Sequence, residues 1–266
     1  MRTSRRPTGG HRPTDATGAA TSAPPASPET PAVSHRPALP ARRTLLISGA
    51  ALLAGCATPQ FIAPPAAPVP PPTVRVGDRW RYQVVDRYSG RVTGLRAMQV
   101  AALQPQLRVA VTDGNDRPLA EETYARPWEV VQEPGYDLVQ IFTQPIPVVP
   151  QPIAVGASAR ISGAYRLPGQ DDQYFWSEWI DAPGWERIRV PAGEFEALRI
   201  ERRIAFTHSD RWRLSAQRSE TLWYAPAVNR WVRREWTGNY LWYGMRRSPL
   251  REDWVAYELI DYAPAG

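Results

Sequence analysis

Apolar and polar residues alternate along most of the chain after residue 73, in short runs separated by turn-forming dipeptides. A period of two places every second side chain on the same face of a strand and therefore predicts half-buried strands. Asp113-Gly114 and Pro168-Gly169 are typical of the turns between such strands. We predict an all-β fold with little helix: a single, strongly curved antiparallel sheet or an open half barrel. The predicted strands cover residues 80–88, 95–103, 107–111, 138–142, 173–180, 185–190, 196–207, 212–224, 230–236 and 254–260.

Three stretches interrupt the alternation. Residues 143–155 contain four prolines, which cannot donate to a hydrogen-bond ladder, so this stretch is predicted to be an extended connection rather than a central strand. Pro183-Gly184 predicts a turn that separates the strands on either side of it. Residues 246–253 form the one stretch for which we consider a short helix.

Residues 196–224 form the clearest predicted hairpin, because its apolar residues occupy even-numbered positions on both arms. Opposed residues must then sum to an even number, which predicts an odd count of residues in the loop around His208. Arg202, Arg218 and Glu220 are also even-numbered and break the apolar face. They form either an inward ion pair, which burial would require, or a part of the face that meets water where the sheet curls. The second interpretation is favoured.

Aromatic content is the unusual feature of the composition. All eleven tryptophans lie between residues 80 and 254, and neighbouring aromatics such as Trp223 and Tyr224 must point to opposite faces. Most should fill the core, but they cannot all enter one core. The pattern therefore predicts either two buried faces or one core and an aromatic-lined groove. The candidate ligand or partner surface comprises Trp176, Trp179, Tyr240, Trp242 and Tyr243.

The N-terminal quarter has a different character. Residues 1–40 are rich in Pro, Ser, Thr, Ala and Gly, which predicts either disorder or a start site assigned too early. Residues 41–55 form a signal peptide, with Arg42-Arg43 followed by a short apolar run. Its end, Leu53-Ala54-Gly55 before Cys56, resembles the bacterial lipobox. That resemblance implies cleavage before Cys56 and lipidation of its thiol.

Two further expectations concern export and anchoring. Arg42-Arg43 resembles a twin-arginine signal, although ordinary Sec export fits equally well. Residue 57 is Ala rather than Asp, which resembles an outer-membrane address and implies the inner leaflet, facing the periplasm. Residues 56–73 then form the lipidated cysteine and a Pro-rich tether, and residues 74–266 form the β domain.

The charge and the reactive side chains exclude several functions. The chain has a formal net charge of +6, but seven of its 32 bases and two of its 26 acids precede Cys56. The remainder is close to neutral, so basicity gives no support to nucleic-acid binding. His208 is the one histidine after the leader and is expected to be exposed in a turn. We predict no catalytic residues, no metal site and no cofactor.

Three segments resemble an uncharacterised family of bacterial periplasmic β-rich lipoproteins. They are the V-P-A-G-x-F turn at 190–195, the W-Y-x-P-x-V turn at 223–228, and the opening strand at 76–82. The resemblance spans residues 74–262 and implies a curved antiparallel sheet or an open barrel like that of periplasmic lipoprotein carriers. It implies no catalytic residues.

The sequence thus predicts a non-enzymatic, lipid-anchored envelope protein that binds an apolar or amphipathic ligand in an aromatic-lined groove. One alternative is an assembly lipoprotein that contacts an envelope protein through an exposed aromatic patch or an unpaired strand edge. Another is a glycan-binding or glycan-acting protein, which requires Trp176 or Trp179 to be exposed beside Glu178.

Overall fold

The computed structural model of the chain describes residues 59–134, 136, 138–245 and 248–266. Almost all of the regular structure in this part is β-strand, and the one helix is a single 3₁₀ turn at Pro226–Val228. The strands are β1 (Phe61–Ile62), β2 (Arg79–Asp86), β3 (Arg91–Ala102), β4 (Leu107–Asp113), β5 (Glu122–Tyr124), β6 (Glu129–Glu133), β7 (Gln140–Pro147), β8 (Ser158–Arg166), β9 (Tyr174–Val190), β10 (Gly193–Phe206), β11 (Arg213–Ala225), β12 (Arg230–Trp242), β13 (Leu250–Arg251) and β14 (Val255–Ala263).

Twelve of these strands form a closed antiparallel barrel. The pairing runs from β9 through β10, β11, β12, β14 and β2, and continues in chain order from β3 to β8. Pairing of β8 with β9, from Ser158–Asp181 to Tyr165–Tyr174, closes the ring. The all-β, curved antiparallel prediction is confirmed, but the barrel is closed rather than open. β1 adds to β9 and β13 adds to β12 outside the ring.

The hairpin of β10 and β11 has the predicted register. Leu198 lies opposite Tyr224, and Phe206 lies opposite Ala216. Nine residues, an odd number as predicted, connect that last pair. The even-numbered side chains of both arms point into the barrel up to Ala216. Beyond it the register with β12 shifts, so Leu214 and Trp212 are exposed instead of buried.

Three local predictions are wrong. Residues 143–147 belong to β7, a strand of the barrel wall that pairs with β6. β7 pairs with β8 only at Ile141 and Phe142, so beyond them the edge of β7 toward β8 has no strand partner among the described residues. Pro145 and Pro147 lie in this part, where the missing N–H of proline costs no ladder hydrogen bond on that edge. Pro183-Gly184 lies inside β9, at a bulge opposite β10. The described part of 246–253 contains β13 rather than a helix.

The barrel has two different ends, which we call the base and the mouth. The base carries the turns at 103–106, 191–192 and 226–229, and the mouth carries those at 87–90, 207–212 and 243–245. At the base, Trp80 Nε1 donates to Val228 O and Trp128 Nε1 donates to Asn229 O, both at 2.8 Å. Indole rings thus fill this end and are hydrogen-bonded to its turn.

Residues 61–73 lie across the base, and we call them the strap. Phe61 and Ile62 pair with β9, Val69 forms a bridge with Ile153, and the amide of Thr73 donates to the side chain of Asn229. The described part of the predicted tether is therefore attached to the barrel. The prolines of this segment restrict its backbone even before it binds. It therefore loses less conformational entropy when it attaches to the barrel.

Candidate functional site

A network of charged side chains crosses the barrel interior between the base and the mouth. Arg202 on β10 donates to both carboxylate oxygens of Glu178 on β9, at 3.0 and 2.9 Å. Its remaining guanidinium nitrogen donates to Glu220 on β11 at 3.0 Å. All three side chains are buried. The favoured interpretation of the sequence, that this face meets water, is wrong because closure of the barrel places it inside.

The network continues onto two more strands. Arg234 on β12 donates to Glu220 and to Glu133 of β6, and the hydroxyl of Tyr136 donates to Glu220. Burial raises the pKa of Glu220, but the guanidiniums of Arg202 and Arg234 outweigh it and hold that pKa below its ordinary value. Burial, reinforced by the negative charge of Glu220, raises the pKa of Tyr136, so its hydroxyl stays protonated and donates.

Arg218, the third residue of the predicted charge cluster, has a different carboxylate partner. Its Nε donates to Glu252 Oε2 at 2.7 Å, and its guanidinium packs on the rings of Tyr136 and Phe206. Gly238 lies beside this pair, where a Cβ would overlap with the Glu252 carboxylate. A glycine is therefore required at this position of β12 for the two charges to meet.

The mouth contains a half-open cleft of about 470 Å³ above the network. Four aromatic side chains and four arginines contribute to its walls. A second cleft of about 250 Å³ shares Arg96, Tyr136 and Tyr257 with the first, so these three residues lie where the two meet. The aromatic residues of the larger cleft are Tyr136, Trp236, Tyr240 and Tyr257, and the arginines are Arg96, Arg213, Arg218 and Arg251.

The side chains that line the cleft pack against one another. The ring of Trp236 packs edge-on against Tyr136 and Tyr257, with centroids 5.6 and 5.0 Å apart. Arg213 lies over the ring of Tyr240 at 4.9 Å. Glu252 and Asp253 also line the cleft, and Glu252 is paired with Arg218. The cleft therefore combines aromatic surface with more arginines than carboxylates, an arrangement that can bind a molecule with an apolar part and a polar group.

The five predicted surface residues do not form one surface. Trp176 is buried in the core, where its Nε1 donates to Glu178. Trp179 is 44% exposed on the outer wall, with Arg160 and Arg203 each within 5.3 Å of its ring centroid. Tyr240 contributes to the cleft, Trp242 is half-buried beside it, and Tyr243 is 61% exposed at the mouth.

This placement contradicts the glycan hypothesis. Glu178 points into the barrel and is buried, whereas Trp179, one residue later, points outward. Trp176 is not exposed at all. The exposed tryptophan that the hypothesis needs beside a carboxylate is therefore separated from Glu178 by the barrel wall.

Exposed apolar side chains form a patch on the mouth, which we call the rim patch. Trp212 lies immediately before β11, and Leu214 is the second residue of that strand. Tyr243 and Met245 lie just after β12. The rings of Trp212 and Tyr243 meet edge-on at 5.3 Å, and the amide of Tyr243 donates to the carbonyl of Trp212. Each of the four side chains is more than two-fifths exposed.

His208 lies at the mouth and is buried, contrary to the exposed turn position expected from the sequence. Its Nδ1 accepts from the amide of Asp210 at 2.9 Å, and its ring packs near Phe206. The ring lies between Phe206 and Arg213, whose Nη1 is 3.4 Å from His208 Nε2, and these neighbours bury it. Within the described part of the chain, no three His, Cys, Asp or Glu side chains are grouped so that they could hold a metal ion.

The signal-peptide and lipobox predictions, with Leu53, Ala54, Gly55 and Cys56, fall outside the described residues. No helix in the part of the chain that the structure describes is long and apolar enough to cross a bilayer.

Comparisons with known proteins find likeness only among solved structures. No protein-family model matches the chain, and no curated protein sequence matches it. A candidate lipoprotein from Parabacteroides distasonis is 15% identical with a TM-score of 0.48, over 75% of this chain and 100% of that one. A candidate exported protein with a YmcC-like fold from Bacteroides fragilis is 13% identical with a TM-score of 0.46, over 74% and 100%.

A third structure, the hypothetical lipoprotein YmcC from Escherichia coli, is 12% identical with a TM-score of 0.37, over 71% of this chain and 86% of that one. At these identities, none of the three assigns a ligand, a partner or a residue role to this chain.

Proposed function

We propose that this protein is a lipid-anchored envelope protein that binds an amphipathic ligand in the mouth of its barrel and does not transform it. The supporting observation is the mouth cleft, which joins the aromatic walls of Trp236, Tyr240 and Tyr257 to four arginines and two carboxylates. The interior below it is filled by packed aromatics and by the ion network. A ligand is therefore bound at the mouth, and long chains do not enter the barrel.

The anchor is proposed from the leader. Cys56 follows the lipobox-like Leu53-Ala54-Gly55, and with its thiol acylated it attaches the barrel to the outer membrane on the periplasmic side. Metabolic labelling with an alkyne palmitate tests this. Label should enter the wild type and be lost in Cys56→Ser, and label retained in Cys56→Ser would contradict the proposal.

Ligand binding is tested with N-phenyl-1-naphthylamine, an uncharged amphipathic probe whose fluorescence rises in apolar surroundings. Tyr240→Ala removes a half-buried wall of the cleft and should weaken binding about tenfold, as expected for one lost aromatic contact. Tyr243→Ala is the matched control, because Tyr243 is exposed and does not contribute to the cleft. Equal affinity in wild type and Tyr240→Ala would reject the cleft as the site.

A second candidate function is assembly with an envelope protein through the rim patch. The observation that favours it is the exposed pair Trp212 and Tyr243, since paired aromatics of this kind are enriched at protein interfaces. A photo-crosslinker at residue 243 should give one adduct of defined mass in membranes, lost in Trp212→Ala. The same crosslinker at residue 179, on the outer wall, is the control. Identical adducts from both positions would reject the rim patch as a specific interface.

A further inference from the structure

Arg96 stands apart from the other arginines of the barrel interior. Arg202, Arg218, Arg230 and Arg234 are buried, and each is paired with at least one carboxylate. Arg96 is half-buried at the junction of the two clefts. Within the part of the chain that the structure describes, no carboxylate lies within 4.0 Å of its guanidinium. Its Nη1 donates to Leu95 O at 2.8 Å, and while burial raises the pKa of Tyr257, Arg96 opposes that rise through its charge and a side-chain hydrogen bond.

The position of Arg96 explains why it has no carboxylate partner. It lies opposite Tyr82 on β2 and Asp113 on β4. The carboxylate of Asp113 is directed to its own turn, where Oδ1 accepts from the amides of Asn115 and Arg117 at 2.8 and 3.0 Å. Tyr82 is buried and donates its hydroxyl hydrogen to Trp231 O. The amides of the Asp113 turn are the main reason that the pKa of Asp113 is lowered, and the charge of Arg96 adds to the effect without a direct ion pair.

Among the described residues, a second arginine of the cleft also makes no ion pair, although Glu252 and Asp253 line the same cleft. Arg251 of β13 is exposed at the mouth and contributes to the larger cleft. In the described residues, no carboxylate is within ion-pairing distance of it either. A partly desolvated guanidinium gains most from a charge-assisted bond to an oxyanion, because it can present two parallel N–H groups.

We propose that the ligand of the mouth cleft is an amphipathic anion whose carboxylate, phosphate or sulfonate group binds Arg96, with Arg251 as a second contact. Its apolar part packs on Tyr257 and Trp236, which lie beside Arg96 in the cleft. This inference rests on the proposed function and adds the charge of the ligand to it. The oxyanion comes either from the head group of an amphiphile or from a free anion, and the aromatic walls favour the amphiphile.

Two probes that differ by one group test the charge. They are 1-anilinonaphthalene-8-sulfonate and N-phenyl-1-naphthylamine, which share an aromatic frame and differ in the sulfonate. The sulfonate should bind about tenfold more tightly to the full chain, and Arg96→Gln should abolish that difference. Arg81→Gln is the matched control: it lies on the adjacent strand, faces outward, and should change neither affinity.

A second measurement on the wild type is independent of any folding defect in Arg96→Gln. Raising the salt concentration should weaken binding of the sulfonate and not of the neutral probe. Inorganic phosphate that displaces the sulfonate probe would show that the site takes a free oxyanion, which supports the proposal for Arg96 without requiring the aromatic walls.

The outcomes separate the two proposals. Equal affinity of the wild type for the two probes, or a preference for the sulfonate that survives Arg96→Gln, would overturn the anion inference and leave the proposed function standing. Failure of both probes to bind would reject the proposed function and the inference with it.

Discussion

The base and the mouth of the barrel are built from the same twelve strands but are stabilised by different interactions. At the base, the ring of Trp128 packs edge-on against those of Trp80 and Trp231, with centroids 5.8 and 5.4 Å apart, and the strap pairs with β9 at the same end. Toward the mouth, the interior is occupied by Arg202, Arg234 and their carboxylates, and the cleft above them is open. The base therefore closes the fold, whereas the mouth can receive a ligand.

The base also contains a charge, which sharpens the contrast. Arg230 is buried among three indole rings, with its guanidinium carbon 4.0 to 5.1 Å from their centroids, and it pairs with Glu122. Aromatic faces compensate much of this positive charge. In the network toward the mouth, Arg202 and Arg234 are each paired with two carboxylates. The mouth half should therefore respond to mutation and pH in ways that the base does not.

The largest expected effect comes from removing the arginine at the centre of the network. Arg202→Met leaves Glu178 and Glu220 buried without their main partner and should lower the free energy of unfolding by about 3–5 kcal/mol. Its neighbour Arg203 is exposed and pairs with Asp181 on the outer wall, so Arg203→Met should cost less than about 1 kcal/mol. Urea unfolding measures both variants. Similar losses in the two would show that the network does not stabilise the mouth half.

Acid should loosen the mouth half before the base. Because the pKa of folded Glu220 lies below its ordinary value, its contribution to stability is present above the unfolded-state pKa and is lost as pH falls through the folded pKa. Native-state amide exchange at pH 6 and pH 3, corrected for the intrinsic rate, measures this. Protection should fall at residues 202–206 and 216–220 and be retained at 231–232. A uniform loss along the barrel would contradict the division into two halves.

The smallest effect concerns the strap. Gly184 has no side chain, and the ring of Phe61 occupies the space where a Cβ would lie. Gly184→Ala should displace that ring and release β1 from β9, lowering local stability by about 1 kcal/mol with little change at the mouth. Amide exchange at Ile62 and limited proteolysis of the strap report the release. Gly94→Ala is the control, because a Cβ there makes only ordinary contacts. Unchanged protection at Ile62 in Gly184→Ala would show that this contact does not hold the strap.

Local alternation was sufficient to predict the fold class and the register of β10 and β11. Because Arg202, Arg218 and Glu220 are even-numbered like the apolar residues of the hairpin, the alternation also predicts that they face inward, and the structure confirms this. The sequence also offered Arg202 and Glu220 as an inward ion pair, but not the partners that complete the network, because some of these come from distant strands: Arg234 and Glu133 are 101 residues apart. Without those partners, the sequence favoured water over burial. Closure of the barrel, which pairs the last strand, β14, with β2, is likewise a long-range property that no single strand encodes.

The candidate site was predicted only in part. Tyr240 was selected because glycines bracket its segment, and it does contribute to the cleft, whereas Trp176 and Trp179 lie in the core and on the outer wall. Arg96, Trp236 and Tyr257 were missed, because the cleft forms only when β3, β12 and β14 come together. One signal was available for Arg96: it is in phase with Met98 and Val100, which are buried, so an inward charge could have been inferred.

The attachment of the strap to the base has a consequence for how the protein stands on a membrane. Cys56 precedes Phe61 by five residues, a chain that reaches at most about 18 Å when fully extended. β10, at about 3.3 Å per residue over 14 residues, is more than twice that length. With Cys56 acylated as proposed, the base is held near the lipid and the mouth points into the aqueous compartment. The cleft is then oriented to receive its ligand from solution or from a partner, and not from the bilayer that anchors it.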